Sequence, residues 1–386
     1  MRKIISLIMV LFLTFGAIGC FFQLKKIDEG DNTSSSSGGT SIGKEESGES
    51  TSSGTGMSSG STSESESEST GSSTGGSESE SEKESTSESE SVSESESTSE
   101  SESTTPQVKT LGSLEVGSKV KVSHSEMGDI EFLIVDKDHG GYPENSTTLL
   151  TEKIIALRAF DAKEPNNSDS GRKNYGSNKY SESNIDQWLN SSAAAGQWYS
   201  ARHSVDQAPN STSNVSMNSY DTDAGFLAGF DAAFVAVLKD TTLKVALNRV
   251  TDGGGYESVT RNFFLPSRVE LFGTAENSIM EGSLLSYFSA NTNTVRIAQL
   301  STYAAQDNTN KGSSSVTAGS NWCYWLRTPY SPDSYCVRNV SSNGGLNVDK
   351  CAFLGEYGVR PLCNLSSDTK VSESPDENGY YSLVFN

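Results

Sequence analysis

Histidine, clustered basic charge and long apolar runs are all scarce in this sequence, and each scarcity removes a class of function. Its 386 residues hold three histidines. His124 and His139 fall in early turns and His203 in a polar loop, none beside a metal-ligand or triad pattern, so each reads as a single surface histidine. No catalytic residue, metal or cofactor is expected. Lys and Arg number 29 against 50 Asp and Glu, with no basic patch of any size, so nucleic acid is not an expected partner. The N-terminal apolar run reaches only from Ile4 to Phe15, short of the roughly 20 residues that a membrane-spanning helix needs.

That short run follows Arg2-Lys3 and precedes Gly16-Ala-Ile-Gly-Cys20. A basic start, a brief hydrophobic core and small residues make a secretory signal over residues 1–19. Small residues directly before a cysteine also resemble a bacterial lipobox, although Ala17 stands where that pattern usually has Leu. The resemblance implies lipidation of Cys20 and an extracytoplasmic protein tethered to the membrane through its N-terminal lipid, with the cell surface as its destination. A plain secretory signal with a chance cysteine is the blander reading.

Residues 20–105 follow as a lipid-anchored stalk. From about Gly30 they are almost entirely Ser, Glu, Thr and Gly, with Ser-Glu alternation from Ser63 to Glu102. Such a segment cannot bury enough surface to offset its ordering entropy and is expected to be disordered. Between Asp31 and Thr105 there are 17 acidic and two basic residues, so most of the net charge of −21 belongs to this stretch. A Gaussian chain of that length spans roughly 50 Å, and like-charge repulsion lengthens it. Gly56-Met-Ser-Ser-Gly60 satisfies the nucleophile-elbow pattern, but without a flanking strand and helix it is accidental.

Residues 106–386 read as one α+β domain rich in loops. Val116–Val122 alternates, Ile130–Val135 is apolar and β-rich, and Thr147–Leu150 completes an opening antiparallel sheet. Ser183-Asn-Ile-Asp-Gln-Trp-Leu-Asn190 has a cap and helical spacing of Ile185, Trp188 and Leu189, so a short amphipathic helix is expected. Phe230–Leu238 is a buried strand or a helix, which periodicity does not decide. Phe263–Pro266 reads as a strand ending at proline, with Ser267 capping a helix through Phe272.

Leu265-Pro-Ser-Arg-Val-Glu270, Trp325-Leu-Arg-Thr-Pro329 and Gly358-Val-Arg-Pro361, in that order, resemble a widespread bacterial domain of unknown function. That domain has a C-type-lectin-like fold akin to the formylglycine-generating enzymes, and the likeness covers roughly Leu111 to Leu365. Some members are the variable proteins of diversity-generating retroelements, in which templated mutagenesis varies surface residues between the equivalents of Trp325 and Gly358. The resemblance implies a fixed frame displaying an adjustable ligand face. Lys350 and Glu356 lie outside the codon set that adenine mutagenesis produces, so either those positions are not templated or this copy does not diversify.

The composition of that stretch agrees. Tyr330, Tyr335, Phe353 and Tyr357 are interleaved with Ser, Asn, Asp and Gly, the chemistry of antibody combining sites; an ordinary polar loop is the alternative. The expected contacts to a protein or glycan ligand are Tyr330, Asp333, Tyr335, Arg338, Asn347, Asp349, Phe353 and Tyr357. Trp325, Arg327, Gly358 and Arg360 are assigned to structure, the arginines because a planar fork suits loop carbonyls or a carboxylate. The expected function is therefore surface ligand binding by a lipoprotein. An oxidase or hydrolase of the formylglycine-generating kind and a structural envelope protein are the alternatives.

Cys323, Cys336, Cys351 and Cys363 lie within 41 residues, which allows up to two disulfides in three pairings or a set of free thiols. Their spacing resembles no zinc knuckle. Glu164-Pro165-Asn166 matches a sugar-binding tripeptide of calcium-dependent lectins but lacks the accompanying Trp-Asn-Asp strand. Asp221-Thr-Asp-Ala-Gly225 is a calcium-loop fragment without its closing glutamate.

Overall fold

A computed structural model describes residues 109–307 and 316–385. The signal peptide, Cys20, the stalk and the Gly56–Gly60 motif lie outside the described residues.

The described chain is α+β, with strands predominating over short helices. It begins as alternation dictates. Strand Lys119–His124 buries Val120, Val122 and His124 and turns Lys119, Lys121 and Ser123 outward. It pairs antiparallel with Gly128–Lys137, which pairs antiparallel with Ser146–Thr151. All six residues of the last are buried. Thr148 settles its hydroxyl by donating to Asn364 Oδ1 at 2.6 Å, the requirement for a polar group in such a strand. Leu362–Ser366 and Phe263–Phe264 extend this sheet on one side. On the other, Tyr380–Val384 lies parallel to Lys119–His124 and carries Lys370–Val371 at its edge, which makes seven strands.

A second sheet of five strands is built around Tyr324–Pro329. On one side lie Gly358–Val359 and then Ala156–Leu157; on the other are Cys336–Val340 and the edge strand Leu346–Cys351. The polar stretch between Trp325 and Gly358 is thus largely a β-hairpin rather than a loop. One apolar cluster, including Phe132, Phe160, Trp188, Phe263 and Trp325, joins both sheets to the helices.

The helices are short and set by their caps. Ser183 caps Asn184–Leu189 by accepting from Asp186 N–H at 3.3 Å. Ser267 and Glu270 form a reciprocal capping box on Arg268–Phe272, and the strand before it, Phe263–Phe264, stops short of Pro266. The undecided run Phe230–Leu238 becomes helix Ala232–Val237, capped by Asp231. No helix among the described residues is long and apolar enough to cross a membrane.

Two histidines correct the surface reading. His124 is buried, with Nε2 at 3.0 Å from the Phe226 carbonyl, and burial lowers its pKa. His139 is buried with Nδ1 2.6 Å from Asp136. His203 is half-buried and faces Glu164 at 3.1 Å.

Candidate functional site

The frame beneath the candidate face is a buried network joining two of the motifs. Arg327, 1 % exposed, forks onto both Glu270 oxygens at 2.7 and 2.5 Å and donates to the carbonyls of Leu265 and Glu281. Tyr142 also donates to Glu270, at 2.6 Å. Trp325 Nε1 donates to the Arg158 carbonyl at 2.9 Å, and its ring packs on Tyr357 at 4.4 Å between centroids. Arg360 Nε donates to the Thr151 carbonyl at 2.9 Å. Gly358 has no room for a side chain: a Cβ there would stand 2.7 Å from Ile154 Cγ2 and 2.9 Å from the Cys323 carbonyl.

From this frame the chain turns outward at Tyr330. Asp333 Oδ1 accepts the N–H groups of Tyr335 and Cys336 at 3.1 and 2.6 Å. Asn178 Nδ2 donates to the carbonyls of Asp333 and Cys336 at 3.0 and 2.9 Å. These bonds hold the bend and aim the Tyr335 ring at helix Ser170–Tyr175. There Tyr335 meets Tyr175 at 4.8 Å, and Phe353 approaches Tyr175 at 6.0 Å while its N–H donates to the Tyr175 carbonyl at 3.0 Å. Lys163 Nζ lies 4.5 Å from the centroid of Phe353, a cation over an aromatic face. Gly171 permits the approach, since a Cβ there would collide with the Tyr335 ring.

The result is a small aromatic platform with Tyr175 37 % exposed and Tyr335 half-buried, while Phe353, expected as a contact, is buried and supports them from beneath. Burial, with Cys336 and Asp333 nearby, pushes the Tyr335 hydroxyl up to about 12. It is therefore a neutral donor and acceptor at physiological pH.

The other expected contacts divide. Tyr330 is half-buried with the Arg338 guanidinium 4.7 Å from its ring centroid, and Asp333 is committed to the bend. Arg338 is not displayed: it is 7 % exposed and its Nε meets Glu276 at 2.8 Å. Tyr357, 2 % exposed beneath Trp325, belongs to the frame. Asn347 is half-buried and accepts the N–H of Val348 at 3.1 Å. It sits four residues along the edge strand from Cys351, roughly 13 Å from the platform end at the strand rise. Asp349 lies on the same strand. The eight residues do not share one surface, because Arg338 and Tyr357 are drawn inside and Asn347 lies along the edge strand away from Tyr335. Tyr175 and Lys163 escaped sequence reading, since nothing local links them to residues more than 150 positions away.

The weaker motifs do not assemble either. Glu164 is buried and Asn166 exposed, so that tripeptide presents no joint ligand set. Asp223 is taken by Arg158 at 2.7 Å. Among the described residues, no group of three or more His, Cys, Asp or Glu could hold a metal. A separate polar groove of about 630 Å³ is lined by Gln187, Asn190, Trp198, Arg202, Asp240 and Arg261, among others. No pattern in the sequence marked it.

The family described as a domain of unknown function, DUF6273, matches residues 145–367, more than half of the chain. No curated protein and no solved structure matches it.

Proposed function

The chain belongs to the DUF6273 family, and from the geometry of this member we propose a surface ligand-binding lipoprotein that recognises a protein or glycan without covalent chemistry. One observation carries the reading: Tyr335, from the stretch between the Trp325 and Gly358 motifs, meets Tyr175 as an accessible aromatic pair backed by Lys163 and the buried Phe353. Rigid rings give contact area at low entropic cost, and a neighbouring cation and hydroxyls add direction. In this reading the fold is C-type-lectin-like. The order of the three motifs and the mixture of two large sheets, two two-stranded ones and short helices support it. The lipobox-like Cys20 supports anchoring, with the acidic stalk as spacer. A reverse transcriptase and a near-copy of the segment encoding Tyr330–Tyr357 beside the gene would support diversification; their absence would remove it.

The test is a paired substitution, Tyr175→Ala with Tyr335→Ala, in protein screened against a glycan array and a displayed peptide library. Loss of at least tenfold in affinity for any ligand so found is expected, in the range of central interface aromatics. Unchanged affinity in folded protein would take the platform out of the site.

A second reading, an oxidase of the formylglycine-generating kind, has one observation in its favour: Cys336 and Cys351 oppose each other on adjacent strands. Copper content of the purified protein discriminates. One equivalent bound through both thiols supports the oxidase; metal-free protein with full ligand affinity removes it.

A further inference from the structure

We propose that Cys336 and Cys351 are a built disulfide site, closed by exchange with a disulfide-bearing oxidant, that staples the hairpin beneath the aromatic platform. The site stands on strand geometry and does not depend on which ligand the platform takes. Cys336 on strand Cys336–Val340 is directly opposite Cys351 on the antiparallel strand Leu346–Cys351. The N–H of Ala352 donates to the Tyr335 carbonyl at 2.9 Å. That bond joins the residue after Cys351 to the residue before Cys336, which marks the two cysteines as a non-hydrogen-bonded pair. Such pairs bring Cα atoms to about 4.5 Å with their side chains on the same face, inside the roughly 4.4–6.8 Å that disulfides span. Cys323 lies between strands Asn321–Trp322 and Tyr324–Pro329, and Cys363 sits on a strand that pairs it with Leu149 and Phe263. Of the three pairings open in the sequence, the register favours this one.

The two thiols also have different roles. Cys336 is 5 % exposed, whereas Cys351 is half-buried and ends an edge strand. The interaction between the two sulfurs raises the pKa of Cys336 and lowers that of Cys351, with Lys350 adding to the latter. Cys351 is thus the attacking thiolate. Its sulfur attacks one sulfur of the oxidant and releases that molecule's other half as a thiolate, leaving a mixed disulfide. Cys336 then loses its proton and attacks the Cys351 sulfur, expelling the second half. Two protein thiols become one disulfide and one small-molecule disulfide becomes two thiols, so atoms and electrons balance.

The consequence is mechanical. Leu346–Cys351 is paired on one side only, and its last residue leads directly into Ala352 and Phe353. Closing the bond ties that end to the strand that starts beside Tyr335, fixing both aromatic contributions relative to each other.

The experiment uses the full chain, reduced and then treated with oxidised glutathione, followed by alkylation and peptide mass mapping. Expected are joint loss of alkylation at Cys336 and Cys351, a linked peptide containing both, and a rise in thermal midpoint of roughly 5–10 °C. In folded Cys336→Ser protein, a glutathione adduct should persist on Cys351. Continued alkylation of both cysteines, a stable adduct on Cys351 in the unsubstituted protein, or a linked peptide joining Cys351 to another cysteine would overturn the site. Retention of copper by both thiols against the oxidant would overturn it equally. An adduct that forms first on Cys336 would overturn the order of attack.

Discussion

Two regions of this molecule are made from similar residues and put them to opposite uses. In the frame, the aromatic and cationic side chains of Trp325, Arg327 and Arg360 are at most 2 % exposed and bonded to chain segments far away in sequence. At the platform, Tyr175, Tyr335 and Lys163 lie at or near solvent and touch mainly one another and Phe353. The difference is what each side chain bonds to. A guanidinium surrounded by a carboxylate and carbonyls is locked in place, whereas a ring resting on another ring can be replaced with little disturbance to the backbone. Variation is therefore tolerated at the platform and costly in the frame.

The sharpest way to break that contrast is Arg327→Leu. It strands the Glu270 carboxylate, which is 0 % exposed, and removal of one partner from a buried pair costs about 3–5 kcal/mol. Denaturant unfolding should show that loss. A loss below about 1 kcal/mol would mean that the frame is not held by this pair.

Next is Glu281, buried against Thr328 and the Ala246 N–H, whose carboxyl is raised to about 7 chiefly by burial. Its folded pKa exceeds the unfolded value, so the folded state binds the extra proton and this group's contribution to stability falls as pH rises from about 4.5 to about 7. Glu281→Gln should therefore gain stability relative to the parent across that window, by about 3 kcal/mol above pH 7. An advantage that shrinks with rising pH would reverse the sign and refute the assignment.

On the platform, Tyr335→Ala should cost only about 1–2 kcal/mol of stability, the burial of part of one ring, while removing ligand affinity. A larger stability loss than Arg327→Leu would erase the distinction between the two regions. The smallest effect is expected at Asn339, on the strand that links them. It is fully buried, and neither side-chain polar atom has a protein partner in the structure. Asn339→Leu should change stability by less than about 1 kcal/mol, or improve it. A marked loss in unfolding experiments would show that a bound water or ligand atom satisfies that amide.

What the sequence revealed follows the reach of each interaction. Ser183 and the Ser267–Glu270 box were legible because a cap and its partner lie three residues apart. The opening strands were legible because alternation is local. His124 and His139 were misread because what buries them comes from elsewhere: the Phe226 carbonyl for one, Ser283 with nearby Asp136 for the other. The same reach explains the candidate site. Tyr335 and Phe353 could be chosen by composition, but Tyr175 becomes their neighbour only through the fold. Arg338 and Tyr357 looked like ligand residues and are interior, because Glu276 and Trp325 arrive from distant segments.

The parallel pairing of Lys119–His124 with Tyr380–Val384 governs when this domain can form. Lys109 donates to the Tyr381 hydroxyl across 272 positions, so the opening strand waits for its neighbour through nearly the whole of domain synthesis. Until then it presents an open edge, the feature through which strands join the wrong partner. Until that strand is made the sheet is unfinished, and long-range closure of this kind is slow. Deleting the final strand should leave protein that is made in normal amount but collects as insoluble material.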